Sequence, residues 1–358
     1  MSPLLGFLLL LLLAVGWTTL PLLPALRELF SPTDVDPLTM VGRDNADISR
    51  FARHFRDYVQ ANLRQLPPEG GADDSFGKLP DGTQFVRIAQ GHAVARAALP
   101  DGTQDRLVVL EHPTTLPGGE QFRLEVWARA ALTGGEGATY RAVLSEDVLR
   151  LGAHSTVMRW VHSRGPMDVA AGSTLYGRAS SEQGIRLGRD VAFERVGAPV
   201  ITVGDAMPSH GPPAAGELVE APIPEDARRL GDHLRVEGDF WLPPHSVVDG
   251  NLVVAGELRL GAGARVKGSV KAHRAIELEE GAVVEGSVVS ERTIRLGPST
   301  WVRGPVIAED SVTIASAATV GARTQPTTVS ARTLSLAQGV AVCGHLVTQE
   351  GGHTDLAR

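Results

Sequence analysis

The chain has 358 residues and a net charge of −7, with no evident basic patch, which argues against nucleic acid as a partner. A single cysteine, Cys343, excludes an internal disulfide, suits a reducing compartment, and sits where plain packing is expected rather than a reactive thiol. Aromatics make up 5% of the chain and glycines number 40, which excludes a core of large rings and fits thin layers filled by Val, Leu, Ile and Ala.

Residues 1–26 form the first element. Leu4–Leu26 (LLGFLLLLLLAVGWTTLPLLPAL) carries no charge and is long enough to cross about 30 Å of hydrocarbon. Its front flank lacks Lys and Arg and no small-x-small cleavage site follows, so a retained transmembrane anchor is expected rather than a cleaved signal peptide. Arg27, Arg43, Arg50, Arg53 and Arg56 lie only on the far side, so the positive-inside rule puts the body in the cytoplasm.

Residues 27–66 are a juxtamembrane region. Within it, Ile48, Phe51, Phe55, Tyr58, Val59 and Leu63 recur at helical spacing across Asn45–Leu66, with Asp44 or Asn45 placed to cap. This amphipathic helix could lie on the membrane with its arginines toward headgroups, or pack on the rest of the chain; packing is favoured. Residues 67–138 read as a small β-rich region, either an antiparallel sheet or irregular first coils. LPDGTQ occurs at Leu79–Gln84 and Leu99–Gln104, and LPGGEQ at Leu116–Gln121, which is repeated turn chemistry rather than a binding site. FVRIAQGHAVARAA and RLVVLEHPTT between them read as strands.

From residue 139 the chain repeats every eighteen residues. Leu149, Met167 and Ile185 are eighteen apart, as are Val157, Leu175 and Phe193, giving a first β-helix block over 139–203. Residues 204–235, rich in Pro, Gly and Ala at Gly204–His233, break the register as a loop or linker. One continuous stack with an extruded loop is favoured over two tethered solenoids, because both blocks share a period.

Residues 236–350 form a second, regular block. Leu242, Leu260, Leu278, Leu296 and Ile314 lie eighteen apart, as do Val266, Val284 and Val302, and Gly250, Gly268, Gly286 and Gly304. A six-residue period sits inside the eighteen, with a second column two places ahead (Leu252, Leu258, Ala264, Val270, Ile276). Paired inward positions at i and i+2 mark strands, and three pairs per repeat make a three-sided coil. A 3.6-residue period is absent. The fold class is therefore an all-β parallel β-helix of about eighteen residues per coil, with Leu and Val as core and glycine at corners where positive φ is useful. A slipped coil at Val320-Gly321 and a bulging loop over Arg323–Ser330 precede the last turn. Residues 351–358 are a short polar tail.

The chemistry search returns little. None of the eleven histidines has a His-x-x-His partner, so no metal-site spacing exists; Walker, Rossmann and nucleophile-elbow motifs are absent. His273 is the best catalytic candidate, ahead of His245, His154 and His162, but it belongs to an outward column with Ala255, Glu291 and Glu309. Glu277, Glu279, Glu280 and Glu285 read as solvent-facing charge. No cofactor is expected.

The phrase Val-x-Gly-x-Val/Leu at Val248–Leu252, Val266–Val270, Val284–Val288 and Val302–Val306 resembles the coils of bactofilins, polymer-forming bacterial cytoskeletal proteins. The resemblance covers 236–350 well and 140–203 weakly. It implies a right-handed coil, head-to-head and tail-to-tail filaments, a membrane-targeting segment in front, no nucleotide, and scaffolding of cell-envelope or cell-shape enzymes. A solenoid also ends in unpaired strand edges, which favours stacking on another copy. The expected self-association end is the C-terminal one, at Leu334, Leu336, Val342 and Leu346, while 67–138 covers the other end and limits growth to dimers or short filaments. The expectation is a single-pass inner-membrane scaffold that binds itself and envelope-associated proteins and performs no chemistry. The six-residue rule also resembles hexapeptide-type left-handed β-helix acyltransferases, in which His273 would be the base and Gly204–His233 the closing loop. A periplasmic carbohydrate-binding solenoid is a third reading and needs the opposite topology.

Overall fold

The computed structural model describes residues 3–19, 48–63, 75–88, 99, 101–205, 211–212, 218–224, 227–231 and 233–354. It divides into two units, Met1–Asp47 and Ile48–Arg358. In the first unit, helix α1 spans Pro3–Thr19 and its large apolar side chains are exposed. Among the described residues no helix is long and apolar enough to cross a membrane. At 1.5 Å per residue, α1 reaches only about 25 Å. The remainder of the expected anchor, 20–26, lies outside the described residues, as do Arg27, Arg43 and the capping candidates Asp44 and Asn45.

The second unit is a β-solenoid. The Leu columns of 236–350 stack directly: Leu242 pairs with Leu260, then Leu278, Leu296, Ile314 and Leu336 in successive parallel strands. All six are at most 1% exposed. Alternate residues point outward because the strands are extended, so Arg259, Glu277 and Arg295 form the matching outer column. The loop after the slipped coil is shorter than the sequence suggests. Ala322 pairs with Gln325, and strand structure resumes at Thr327 rather than after Ser330.

The same architecture extends well upstream of 139. Thr103-Gln104 pairs in parallel with Gln121-Phe122, and Val108–Leu110 with Val126–Ala128. Coils therefore run through most of this segment, the second of the two arrangements expected for it, rather than an antiparallel sheet. Among its described residues the one antiparallel feature is the hairpin of Ser75–Lys78 with Gln84–Ile88. Residues 89–98, expected as strand, lie outside the described residues. The two LPDGT turns are built alike: Asp81 accepts from the Thr83 N–H at 2.9 Å and Asp101 from the Thr103 N–H at 3.0 Å. In this block a bent strand such as Thr156–Ser163 supplies two walls of each coil, and a short one such as Met167–Val169 the third.

The amphipathic helix, α2 (Arg50–Leu63), packs on the second wall of this first block. Ala52, Phe55 and Val59 meet Phe85, Leu107, Val109, Trp127, Leu144 and Trp160, which point out of the coil and are buried only because the helix covers them. The fit is one of pitch. A helical turn rises about 5.4 Å and a coil about 4.8 Å, so residues one turn apart meet successive coils. Ile48 faces Gly197, Phe51 faces Arg178, and the Phe55 ring meets Trp160 tilted, with centroids 5.4 Å apart. At the far end the Tyr58 hydroxyl hydrogen-bonds Asp81.

The two blocks do not form one continuous parallel stack. The first block's last strand, Ala192–Val203, pairs antiparallel with the second block's last strand, Ala341–Thr354. Direction of advance and sense of circulation both reverse across this junction, so the two blocks share one hand. The apolar interior runs unbroken through it. The reversal also explains the linker. From Thr202 to Val219 the third wall climbs through the partners 341, 319, 301, 283, 265 and 247, about 34 Å at 4.8 Å per step. The chain from Val203 to Val219 can reach about 54 Å, enough to start the second block at its far end and let it grow back.

Two measurements follow from this interior. Leu278→Ala opens a cavity that the rigid coils above and below cannot close, so a cost of about 2–5 kcal/mol is expected in chemical denaturation. Glu120 is buried beside Gln104, its Oε2 has no hydrogen-bond partner among the described residues, and burial pushes its carboxyl pKa up. Its protonated form suits the fold, so its contribution is intact below the ordinary carboxyl range and is lost as pH rises through the raised value. Glu120→Gln should therefore raise the Tm at neutral pH, with the gain shrinking toward zero in acid.

Candidate functional site

The histidines singled out by the sequence are architectural in position. His273 is exposed, its Nδ1 lies 2.7 Å from Glu291 Oε1, and Lys271 Nζ is 3.5 Å from the same oxygen. The hydrogen bond from His273 is the main reason the Glu291 carboxyl lies below its usual range. This is a ladder of polar side chains on neighbouring coils. His154 and His245 occupy corners at φ 56° and 54°, where a left-handed residue turns the chain. His162 is buried beneath α2 with Nδ1 2.8 Å from Ser180 Oγ and Nε2 3.8 Å from Glu182, and burial pushes its pKa down. The trio has the residue types of a hydrolytic triad, but the helix seals it from substrate. Among the described residues no cluster of His, Cys, Asp or Glu could hold a metal ion. Cys343 is buried, and burial pushes its thiol pKa up.

The corner glycines have two separate jobs. Gly250 has φ 104°, but Gly268, Gly286 and Gly304 are needed for close approach. A Cβ on Gly268 would lie 2.5 Å from the Gly250 oxygen, and one on Gly304 2.7 Å from the Gly286 oxygen. The left-handed column lies elsewhere, at His245, Gly263, Gly281, Ser299 and Ala317. Sequence inspection misses it because three of its five members are not glycine.

The ends of the solenoid are the features with something to bind. The C-terminal end, expected to be adhesive, is closed within the chain. Leu334, Leu336, Val342 and Leu346 are buried, and the strand that holds Val342 and Leu346 is occupied on its outer edge. On the first wall Phe193 opposes Gly352; on the second Val196 opposes Leu346; on the third Ile201 opposes Val342. The polar tail completes the closure. Thr354 Oγ1 accepts from the Val191 N–H at 2.9 Å and donates to the Gly188 carbonyl at 2.8 Å, and Thr348 Oγ1 donates to the Glu194 carbonyl. Gly352 permits this, since a Cβ there would strike the Phe193 ring at 2.4 Å. The outer end of the first block is covered on its second wall by the 75–88 hairpin.

The remaining end is the start of the second block. Val219-Glu220 pairs with Ser246-Val247, and Arg228–Leu230 folds back on His233–Val236. On the other wall Phe240–Leu242 pairs inward with Leu258–Leu260, and among the described residues no strand lies on its outer edge. Four large apolar side chains are exposed among the described residues from the linker onward: Val219, Ile223, Trp241 and Ile307. The first three gather at this end. Trp241 also borders an open groove of about 480 Å³ walled by Arg259, Glu277 and Arg295.

Residues 241–347 match the bactofilin family model, described as polymer-forming cytoskeletal. The match begins at Trp241, in the first complete coil, and ends in the junction strand, so it spans the second block and under a third of the 358 residues. No curated protein and no solved structure matches the chain.

Gly352 tests the junction, because it pairs with Phe193 of the first block. A Cβ there would strike the Phe193 ring at 2.4 Å, so Gly352→Val should part the blocks and split a single calorimetric transition into two. His273→Ala removes only an exposed ladder contact, and its stability should stay within about 0.5 kcal/mol of the parent.

Proposed function

We propose that this protein is a self-assembling cytoskeletal scaffold, held at a bacterial inner membrane by its apolar N-terminus with the solenoid in the cytoplasm, and recruiting envelope or cell-shape proteins along its coil faces. The match of 241–347 to a polymer-forming family carries the reading. Its assembly surface is the start of the second block, where the unpaired edge of Phe240–Leu242 and the exposed Val219, Ile223 and Trp241 lie together. Strand edges of this kind continue a ladder when a second copy supplies the next strand. The internal junction already provides one tail-to-tail contact, so a head-to-head contact between two copies gives a rod of four blocks. The anchor rests on the uncharged stretch Leu4–Leu26, and the cytoplasmic orientation on the arginines that follow it.

Light scattering on the full chain should show dimers or longer rods. Val219→Glu with Ile223→Glu buries charge at that contact and should return the protein to monomers without lowering its Tm. Monomers in the parent, or assemblies unchanged in the variant, would overturn this reading.

A further inference from the structure

Several arginines of this solenoid pair with a carboxylate eighteen residues away, one coil up or down. Arg129 pairs with Glu111, Arg164 with Glu146, Arg186 with Asp168, Arg259 with Glu277 and Arg292 with Asp310. One edge gathers arginines that lack such a partner. At the corner between the first and second walls of the first block, five successive coils carry Arg123, Arg141, Arg159, Arg178 and Arg195. At about 4.8 Å per coil they line a stripe about 19 Å long. Arg141 pairs with Glu125 at 3.3 Å. Among the described residues none of the other four has a carboxylate at ion-pair distance. Two carboxylates lie beside the stripe and offset part of its charge without forming an ion pair: Asp101, which feels the Arg123 charge, accepts from the Thr103 N–H, and Glu194 accepts from the Gly177 N–H at 3.0 Å. Arg178 and Arg195 are direct neighbours across the ladder, and burial together with the Arg195 charge pushes the Arg178 guanidinium pKa down.

Apolar groups are interleaved with these charges. Met158 precedes Arg159, Tyr176 lies two residues before Arg178, and Phe51 of α2 sits 4.4 Å under the Arg178 guanidinium; all three are about half exposed. Arg50 continues the positive face on the helix. Exposed cations mixed with aromatic and thioether side chains suit a bilayer interface, where headgroup charge and the acyl boundary are met together. A soluble polyanion would leave Met158, Tyr176 and Phe51 in water.

We propose that this arginine-lined corner of the first block is a docking surface for an anionic lipid bilayer, which lays the solenoid along the membrane. The 28 residues between α1 and Ile48 can reach about 95 Å, so an inserted N-terminus would permit the contact and raise its effective concentration. The surface lies outside the matched segment 241–347 and is independent of assembly through the second block.

The test uses the full chain with Met158→Cys carrying an environment-sensitive fluorophore; native Cys343 is buried and does not compete for label. Vesicles are phosphatidylcholine alone or with roughly 30% phosphatidylglycerol. A blue shift and quenching by nitroxide-labelled lipid are expected only with the anionic vesicles and should reverse at about 0.5 M salt. A label at Arg150→Cys on the third wall should stay silent. Arg123→Gln, Arg159→Gln, Arg178→Gln and Arg195→Gln should each weaken the response about fivefold, and together abolish it, with the Tm retained. An equal response to neutral vesicles, an unaffected quadruple variant, or a response to duplex DNA or heparin in place of vesicles would overturn the proposal. None of these outcomes bears on the oligomeric state, which is read separately.

Discussion

A stack of parallel β-coils cannot end quietly. Each wall stops in a row of N–H and C=O groups that the next coil would have paired, over an apolar cross-section that the next coil would have covered. The chain meets this constraint by turning one solenoid against another, so that Ala192–Val203 and Ala341–Thr354 complete each other's ladders on all three walls. The long linker, the shared hand and the unbroken interior follow from that choice. So does the place of the proposed assembly surface, at the beginning of the second block and not at its end.

The other organising element is α2. A helix alone has no reason to lie along a solenoid, but its turn of about 5.4 Å nearly matches the coil step of about 4.8 Å. The first block meets it with outward-facing Val109, Trp127, Leu144 and Trp160, where the second block has charged outer columns. Ile48 at the head of the helix reaches Gly197 and so touches the junction itself, which ties the clamp to the place where the blocks join. The first block is thereby a partner domain fixed to the tail of a bactofilin-like one, and its arginine edge gives it a surface of different chemistry.

The second block was legible because its core is one-dimensional. Leu242, Leu260, Leu278 and Leu296 repeat at a fixed interval, and a solenoid converts that interval into direct stacking with no long-range information needed. Coils over 103–138 were illegible because short strands such as Thr114-Thr115 and turns of varied length blur the period. The arginine corner escaped notice for a related reason: its members are some eighteen residues apart in sequence, and only coiling brings them within a few ångströms.

Sequence alone determined the β-helix, the length of its coil, its apolar columns and the resemblance of 236–350 to bactofilin coils, because each depends on neighbours one period away. Tertiary structure decided which end stays open. That depends on a contact between residues about 150 positions apart, Phe193 against Gly352 and Val196 against Leu346, whose partners no periodicity specifies. A repeat encodes how coils stack, but not what the last coil meets.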